Sequence, residues 1–550
     1  MKIFRRIAII TMIAILTLSM TGIHADSARA ATNKDSAQHL KTIFENLLQE
    51  EKASVDDETT KLKLDGAVMV EPADGYYAVT LPHISVLFTD GGHLDIGIIA
   101  LNVMPTDDPL QWKMTLALPS PITFHGKESK DTLSMTVGKQ FFAGVWHEKF
   151  ENFTKLKSRY TNVNIQSQDR TFSILIPDIT ADYDLAENAN HLWTGPMQIV
   201  LSGLQVSMPD GGKAHIGKVT GISTLFDYSV ETATAYNDSL RALDESYKAG
   251  EDSVSAQHVT GMYNMVAGFI SKVWDGFTMK VEANDILLTR PPIPGSPAGE
   301  LKLSNAGFAF DMLGFRKDSV TLRLGMNYAG LSLKPLSADF DATTPTHMNI
   351  DISINKLPFG EITALGKTSL ESVAQLPPEM AKLAGLQALF SLPQLFTKAG
   401  TTLDVKDTIM EGRDYRFSMN GSLSPDMSAL KGAVGKGRLE VMGLEKITAL
   451  LNEQLKKPDI SEESKSKLQS TLSTLSILQL AGQQGKDALG NAVRLYDFEL
   501  NKQGQILLNG TDMTLLMPKD EKPTPTTTNE TGQKPTPAPT PAPAPAPAKK

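Results

Sequence analysis

Cysteine is absent from all 550 residues. That absence rules out a disulfide framework, thiol nucleophiles and cysteine-based metal sites. Stability then has to come from burial, which a chain of this length can supply in two or three domains. Positive charge is not in excess either: 53 Lys and Arg stand against 62 Asp and Glu, a formal net charge of -9. Without a basic stripe interleaved with aromatics, this balance argues against nucleic acid as a partner. After the first 20 residues no apolar run approaches the length of a spanning helix. The expected product is soluble or peripheral.

Catalytic signatures are missing as well. There is no G-x-S-x-G and no H-E-x-x-H. "GEITALGKTS" from Gly360 imitates a phosphate loop, but five residues separate Gly360 from Gly366 where the loop needs four. Ser-x-x-Lys occurs at Ser353–Lys356, Ser428–Lys431 and Ser464–Lys467, without the S-D-N or K-T-G companions of an acylating serine. The histidines are scattered singly, and a lone strand histidine is more often a surface or satisfied side chain than a ligand. The carboxylates are spread out, with no acid–base pair to single out. The sequence therefore offers no catalytic, cofactor-binding or metal residue, and a non-enzymatic protein is expected.

The first thing present is an export signal. Lys2, Arg5 and Arg6 precede an apolar run from Ile7 to Met20, and Ala28-Arg29-Ala30 follows. A basic start, a short apolar core and an A-x-A site predict a secretory signal peptide cleaved near Ala30. The periplasm or the exterior is the expected location. At the other end "KPTPAPTPAPAPAPAKK" alternates Pro with Ala, which removes hydrogen-bond donors and favours an extended, solvated chain. It predicts a disordered tether, or a segment that meets an envelope protein or the cell wall.

Between the ends the periodicity switches repeatedly. Leu40, Ile43, Phe44, Leu47 and Leu48 predict an amphipathic helix. From about Lys61 apolar and polar residues alternate, with Gly, Pro and Asp as punctuation, which predicts antiparallel hairpins. Two stretches echo each other: "LPHISVLFTDGGHLDIG" from Leu81 and "LSGLQVSMPDGGKAHIG" from Leu201. Tyr77 to Ile84 and Phe172 to Ile179 form a second echo, an aromatic start, a strand, then Pro-x-Ile. Reactive residues do not recur, since His93 corresponds to Lys213 and Asp95 to His215. What recurs is turn chemistry and core pattern, so the repeat is expected to be scaffold.

Tyr236, Leu240, Leu243 and Tyr247, then Met262 to Val273, predict a helical hairpin broken near Gly250. Further strands follow, and then helical sequence interrupted by Pro377-Pro378 and Pro393. "RDYRFSMNG" from Arg413 and "RLYDFELNK" from Arg494 share R-x-Y-x-F-x-x-N and flank a helix with a stripe of Leu444, Ile447, Leu451 and Leu455. The predicted class is α+β: antiparallel β-meander sheets covered by amphipathic helices, with internal repeats and a disordered Pro-Ala tail. The expected organisation is a signal peptide over 1–30, an N-terminal β-rich domain with a leading helix over 31–230 and a helical hairpin over 231–275. A C-terminal α+β domain over 276–518 and the tail over 519–550 complete it.

The stretch from about Leu403 to Pro518, with Tyr-x-Phe-x-Leu and then Gly-x-Ile-x-x-Asn-Gly, resembles the uncharacterised β-rich envelope proteins of Gram-negative bacteria, the YdgA-like group. The resemblance implies an envelope location and carries no catalytic residues. Two functions fit the pattern. One is a non-enzymatic periplasmic protein that binds lipid or another hydrophobic ligand where the Leu444–Leu455 stripe and strand residues such as Phe308, Phe310, Leu322 and Leu324 line a cavity. The other is an interaction scaffold held off the envelope by its tail. A hydrolase without a recognisable motif ranks behind both.

Overall fold

A computed structural model describes residues 33–514 apart from 128–131, 237–238, 240–262, 264–266, 336–343, 376–377, 458–459 and 488–489. The signal sequence, the expected break near Gly250 and the Pro-Ala tail lie outside the described residues. The chain begins with the helix Lys34–Val55, which is capped where the Asn33 side chain accepts the Ser36 amide at 2.8 Å. Its stripe of Leu40, Phe44, Leu47 and Leu48 is buried, as the helical spacing predicts.

Most of the strand-forming sequence after it belongs to one antiparallel sheet. Sequence neighbours pair in a meander from Thr60 to Asp512. Lys213–Tyr228 pairs with Gly276–Arg290 along its whole length, so the helical sequence at 231–275 interrupts the chain but not the sheet. Both Asp-Gly-Gly turns lie at one end, here called the lower end. Residues 230–236 and 267–273 are helical. They and the helices Phe359–Gln375 and Pro378–Ala399 leave the sheet at the upper end. The helices Leu444–Leu455 and Glu462–Ala481 leave it at the lower end.

A crease crosses the sheet from strand to strand. It runs from Gly66 and Pro82 through Gly97, Pro119 and Gly138 to Asn162. It continues through Pro177, Gly203, Gly217 and Asp285 to Ser304 and Gly330. Gly66, Gly97, Asn162, Gly203, Asp285 and Gly330 have positive φ. At this row each strand carries one extra residue, and an extra residue shifts the alternation of faces by one. "IVLSGLQV" shows the result: Ile199 and Leu201 lie on the same face as Leu204 and Val206, with Ser202-Gly203 between them. Besides the core positions Val86 and Val206, the two echoing stretches share crease and turn residues. Ile96-Gly97 and Ile216-Gly217 meet the crease, as do Pro82 and Pro177. A Cβ on Gly217 would stand 2.9 Å from the Asp285 Cβ, so the crease leaves no room for a side chain there.

The Asp-Gly-Gly turns are matched in detail. Asp90 Oδ1 accepts the Gly92 amide at 3.2 Å, and Asp210 Oδ1 accepts the Gly212 amide at 2.9 Å. Gly91 and Gly211 take φ of 90° and 82°, values that L side chains rarely adopt.

One expectation is corrected. Pro393 does not interrupt the helical sequence but sits inside Pro378–Ala399. Proline leaves the carbonyl four residues earlier without its partner. That residue, Leu389, is 61% exposed, so water can satisfy it. Pro378, by contrast, opens its helix, where a missing amide costs nothing.

Candidate functional site: an open apolar sheet face

Along each strand side chains alternate between faces, so the register sorts them into two sets. One face carries ion pairs. Arg159 meets Asp178 at 2.7 Å, Arg323 lies between Asp311 at 3.2 Å and Asp351 at 2.7 Å, and Arg438 meets Asp497 at 2.6 Å. Two carboxylates on one guanidinium hold the Arg323 pKa above its usual range. The other face is apolar across the crease. Phe277, Met279 and Val281 face Met312, Phe310 and Phe308. Those in turn face Leu322, Leu324 and Met326, and then Ile354, Ile352 and Ile350.

This apolar face changes character along the sheet. Over residues 34–181 it is closed: the first helix lies on it, and Leu40, Tyr77, Val103, Trp112 and Leu156 are no more than 1% exposed. At the lower C-terminal corner it is closed again. Leu444, Ile447 and Leu451 pack with Tyr415, Val441 and Tyr496. The Tyr496 hydroxyl donates to the Leu478 carbonyl at 2.7 Å. Both tyrosines of the R-x-Y-x-F-x-x-N pair therefore serve one small core.

Between these regions the face is open. Leu288, Leu324, Met326, Leu403, Met419, Leu423 and Phe498 are 38–44% exposed. Apart from Val320 at the upper end, no apolar side chain on this face between Trp193 and Met410 is fully buried among the described residues. Exposed apolar residues in one contiguous patch mark a binding surface on a soluble protein. At the upper end an aromatic series leads into it. Tyr236 stacks on Phe269 at 3.7 Å, Trp274 lies 5.5 Å from Phe277, and Phe277 lies 5.7 Å from Phe310.

The four strand residues expected to line a cavity, Phe308, Phe310, Leu322 and Leu324, share this open face. The helix stripe expected beside them does not join them, because it fills the separate lower core. Helix residues of low exposure pair with the nearest strands, and those are the strands that flank the helix in sequence.

The polar candidates fall elsewhere. His93 stacks on His125 across two strands at 4.5 Å, and His83 meets Asp95 at 2.9 Å. Among the described residues no group of three His, Asp or Glu is placed to hold a metal ion. "GEITALGKTS" is helical, within Phe359–Gln375, and the Gly360 amide is taken by Asp318. Sequence reasoning passed over a buried pair in "VWHEKF". Glu148 is 7% exposed and accepts the Trp112 indole at 2.5 Å and His39 at 3.2 Å. With both oxygens engaged by donors from the first helix and the sheet, this carboxylate pins one to the other. Beside it His147 Nδ1 accepts the Phe150 amide at 3.1 Å, and its ring lies edge-on to Trp193. Burial holds the His147 imidazole below its ordinary pKa.

No helix among the described residues is long and apolar enough to cross a membrane. No protein-family model matches this chain, and no curated protein matches it in sequence.

Proposed function

We propose that this is an exported, non-enzymatic envelope protein that holds a lipid or another elongated hydrophobic ligand against its open sheet face. The observation that carries the reading is the half-exposed apolar surface between two covered regions of the same face, one of which still encloses an apolar pocket of about 50 Å³ beneath the first helix. A sheet face of this composition is normally covered by a helix or a second sheet. Here the same chain covers it at both ends and leaves it bare between them. The basic start, apolar core and A-x-A site of residues 1–30, with the resemblance to YdgA-like envelope proteins, support the envelope location. Helices at the upper and lower ends shelter the face without filling it, which suits a ligand that comes and goes.

Native mass spectrometry of protein purified from its own envelope tests this reading. The expected result is a co-purifying lipid that is lost when apolar side chains of the open face are replaced by Glu. Protein free of lipid, with no saturable uptake of a fluorescent fatty acid, would overturn it and favour the tethered interaction scaffold.

A further inference from the structure

The open face is not uniform. At its upper C-terminal part lies a depression of about 310 Å³ lined by Leu403, Met419, Leu423, Phe498, Leu500 and Ile506. Its floor is bare backbone. Gly421 pairs with Gly437, and Gly435 pairs with Leu423, so three glycines of two neighbouring strands lie on the apolar face together. Side chains there would crowd the backbone: a Cβ on Gly421 would stand 3.2 Å from the Gly437 Cα, and one on Gly435 would stand 2.9 Å from the Ser422 carbonyl oxygen. The absent side chains make the furrow, and the flanking leucines, Met419 and Phe498 make its walls.

The chemistry of the furrow selects its occupant. The backbone amides and carbonyls of its floor are engaged in the ladders that join Thr402–Glu411, Arg416–Pro425, Ala433–Met442 and Ala492–Leu500. A peptide strand would find no hydrogen-bond partners there, and its own polar backbone would be stranded against hydrocarbon. The volume sits at the lower end of ligand pockets, about 300–1,000 Å³. A single flexible hydrocarbon chain asks for no hydrogen bond and fits.

We propose that Gly421, Gly435 and Gly437 form the seat for one acyl chain, with its polar head left in water at the upper rim. This inference rests on the lipid-binding reading above and narrows it to one place and one ligand class. One lysine stands at that rim, Lys502, which meets Asp426 at 3.2 Å; Lys436 pairs with Glu499 on the opposite, polar face. The Lys502 charge is already paired with the Asp426 carboxylate, so the seat selects the chain rather than an anionic head.

The test uses the full chain and a fatty acid carrying a diazirine near its methyl end, with the adducts located by mass spectrometry. Adducts are expected within 402–425, 433–442 and 492–508. Leu423→Glu and Met419→Glu replace side chains that are already about two-fifths exposed, so the fold is expected to survive. Each should weaken fatty-acid binding at least about tenfold, because losing the contacts of two methylenes already does so. Ile222→Glu, on the opposite face, should bind as the wild type does. Saturable binding with adducts confined to 277–326, unaffected by Leu423→Glu, would overturn the seat while leaving the lipid-binding reading intact. Absence of saturable binding in the wild-type protein would overturn both.

Discussion

Residues 34–181 and residues 193–411 are woven from the same kind of strand, creased along the same row, yet they differ in what happens to their apolar face. In the first region a helix of 22 residues is laid on the face, and its Leu40 and Phe44 are 0% and 5% exposed. In the second, equivalent side chains such as Met279, Phe308 and Ile352 stop at half-burial. The difference lies in what the insertions do, not in the strands. The helical insertions of the second region leave from strand ends and pack on one another and on neighbouring turns: the Tyr263 hydroxyl donates to the Thr363 carbonyl at 3.1 Å, and Phe315 of the turn after Leu313 lies edge-on to Phe359 at 5.0 Å. Alternation in a strand specifies an apolar face. Whether that face becomes a core or a surface depends on whether another element reaches it.

The largest effect should come from truncating matched side chains in the two regions. Leu40→Ala removes a fully buried side chain from the closed core and should cost about 2–5 kcal/mol. Ile352→Ala removes a half-buried one from the open face and should cost about 1 kcal/mol. Chemical denaturation of both variants checks this. Equal losses would mean that the second face is covered in solution, and the contrast would disappear.

Next come the two Asp-Gly-Gly turns, one in each region. Gly91→Val and Gly211→Val force a β-branched residue to positive φ, at a cost of about 1–3 kcal/mol each. Gly211 also faces the Pro291 Cγ, 3.3 Å from where a Cβ would stand, whereas Gly91 has open space around it. The second substitution should therefore be the more damaging. Thermal unfolding of the pair reads the difference.

Much of this architecture was legible in the sequence, and what escaped did so for physical reasons. Period-two alternation located the strands, and helical spacing located the first helix, because both patterns are set locally. The crease was not legible as a crease. It appeared only as recurring Pro and Ile-Gly, since the row that aligns Pro177, Gly203 and Gly217 exists only once strands far apart in sequence are paired. The Leu444–Leu451 stripe was legible as a buried face, but its partners Tyr415 and Tyr496 lie on either side of it in sequence. Pattern alone did not tell that filled core from the open face of Phe308 and Leu324. The glycine furrow was invisible for the same reason: Gly421, Gly435 and Gly437 look like ordinary weak points of strands until register sets them side by side.

A pH scan sharpens the comparison from the closed side. His147 is 6% exposed, and burial holds its pKa below the ordinary 6.5. The unfolded chain then binds the proton more readily than the folded one. The neutral imidazole contributes stability that is complete above about pH 6.5 and is lost as pH falls below that value. The nearby Asp108, Glu187 and Glu148 carboxylates oppose the shift, and Lys149 adds to it. His147→Gln should flatten the loss of stability between pH 6.5 and 5, measured by denaturant unfolding at each pH. An unchanged slope would place the titration elsewhere.

The smallest effect concerns the histidines beside the turns. His93 stacks on His125 at 4.5 Å on a partly exposed strand pair, and His215 lies half-buried on Lys213–Tyr228. A cross-strand pair of this kind contributes about 0.2–1 kcal/mol. His93→Ala should fall at the upper part of that range, because it removes one ring of a stacked pair. His215→Ala, which breaks no ring contact, should stay within about 0.5 kcal/mol. If the turns are scaffold in both regions, neither substitution should alter ligand uptake or any cellular phenotype beyond what this loss of stability explains. A phenotype from His93→Ala with thermal stability unchanged would give the first region a function of its own at the lower end. The division into a closed half that is scaffold and an open half proposed to bind would then fail.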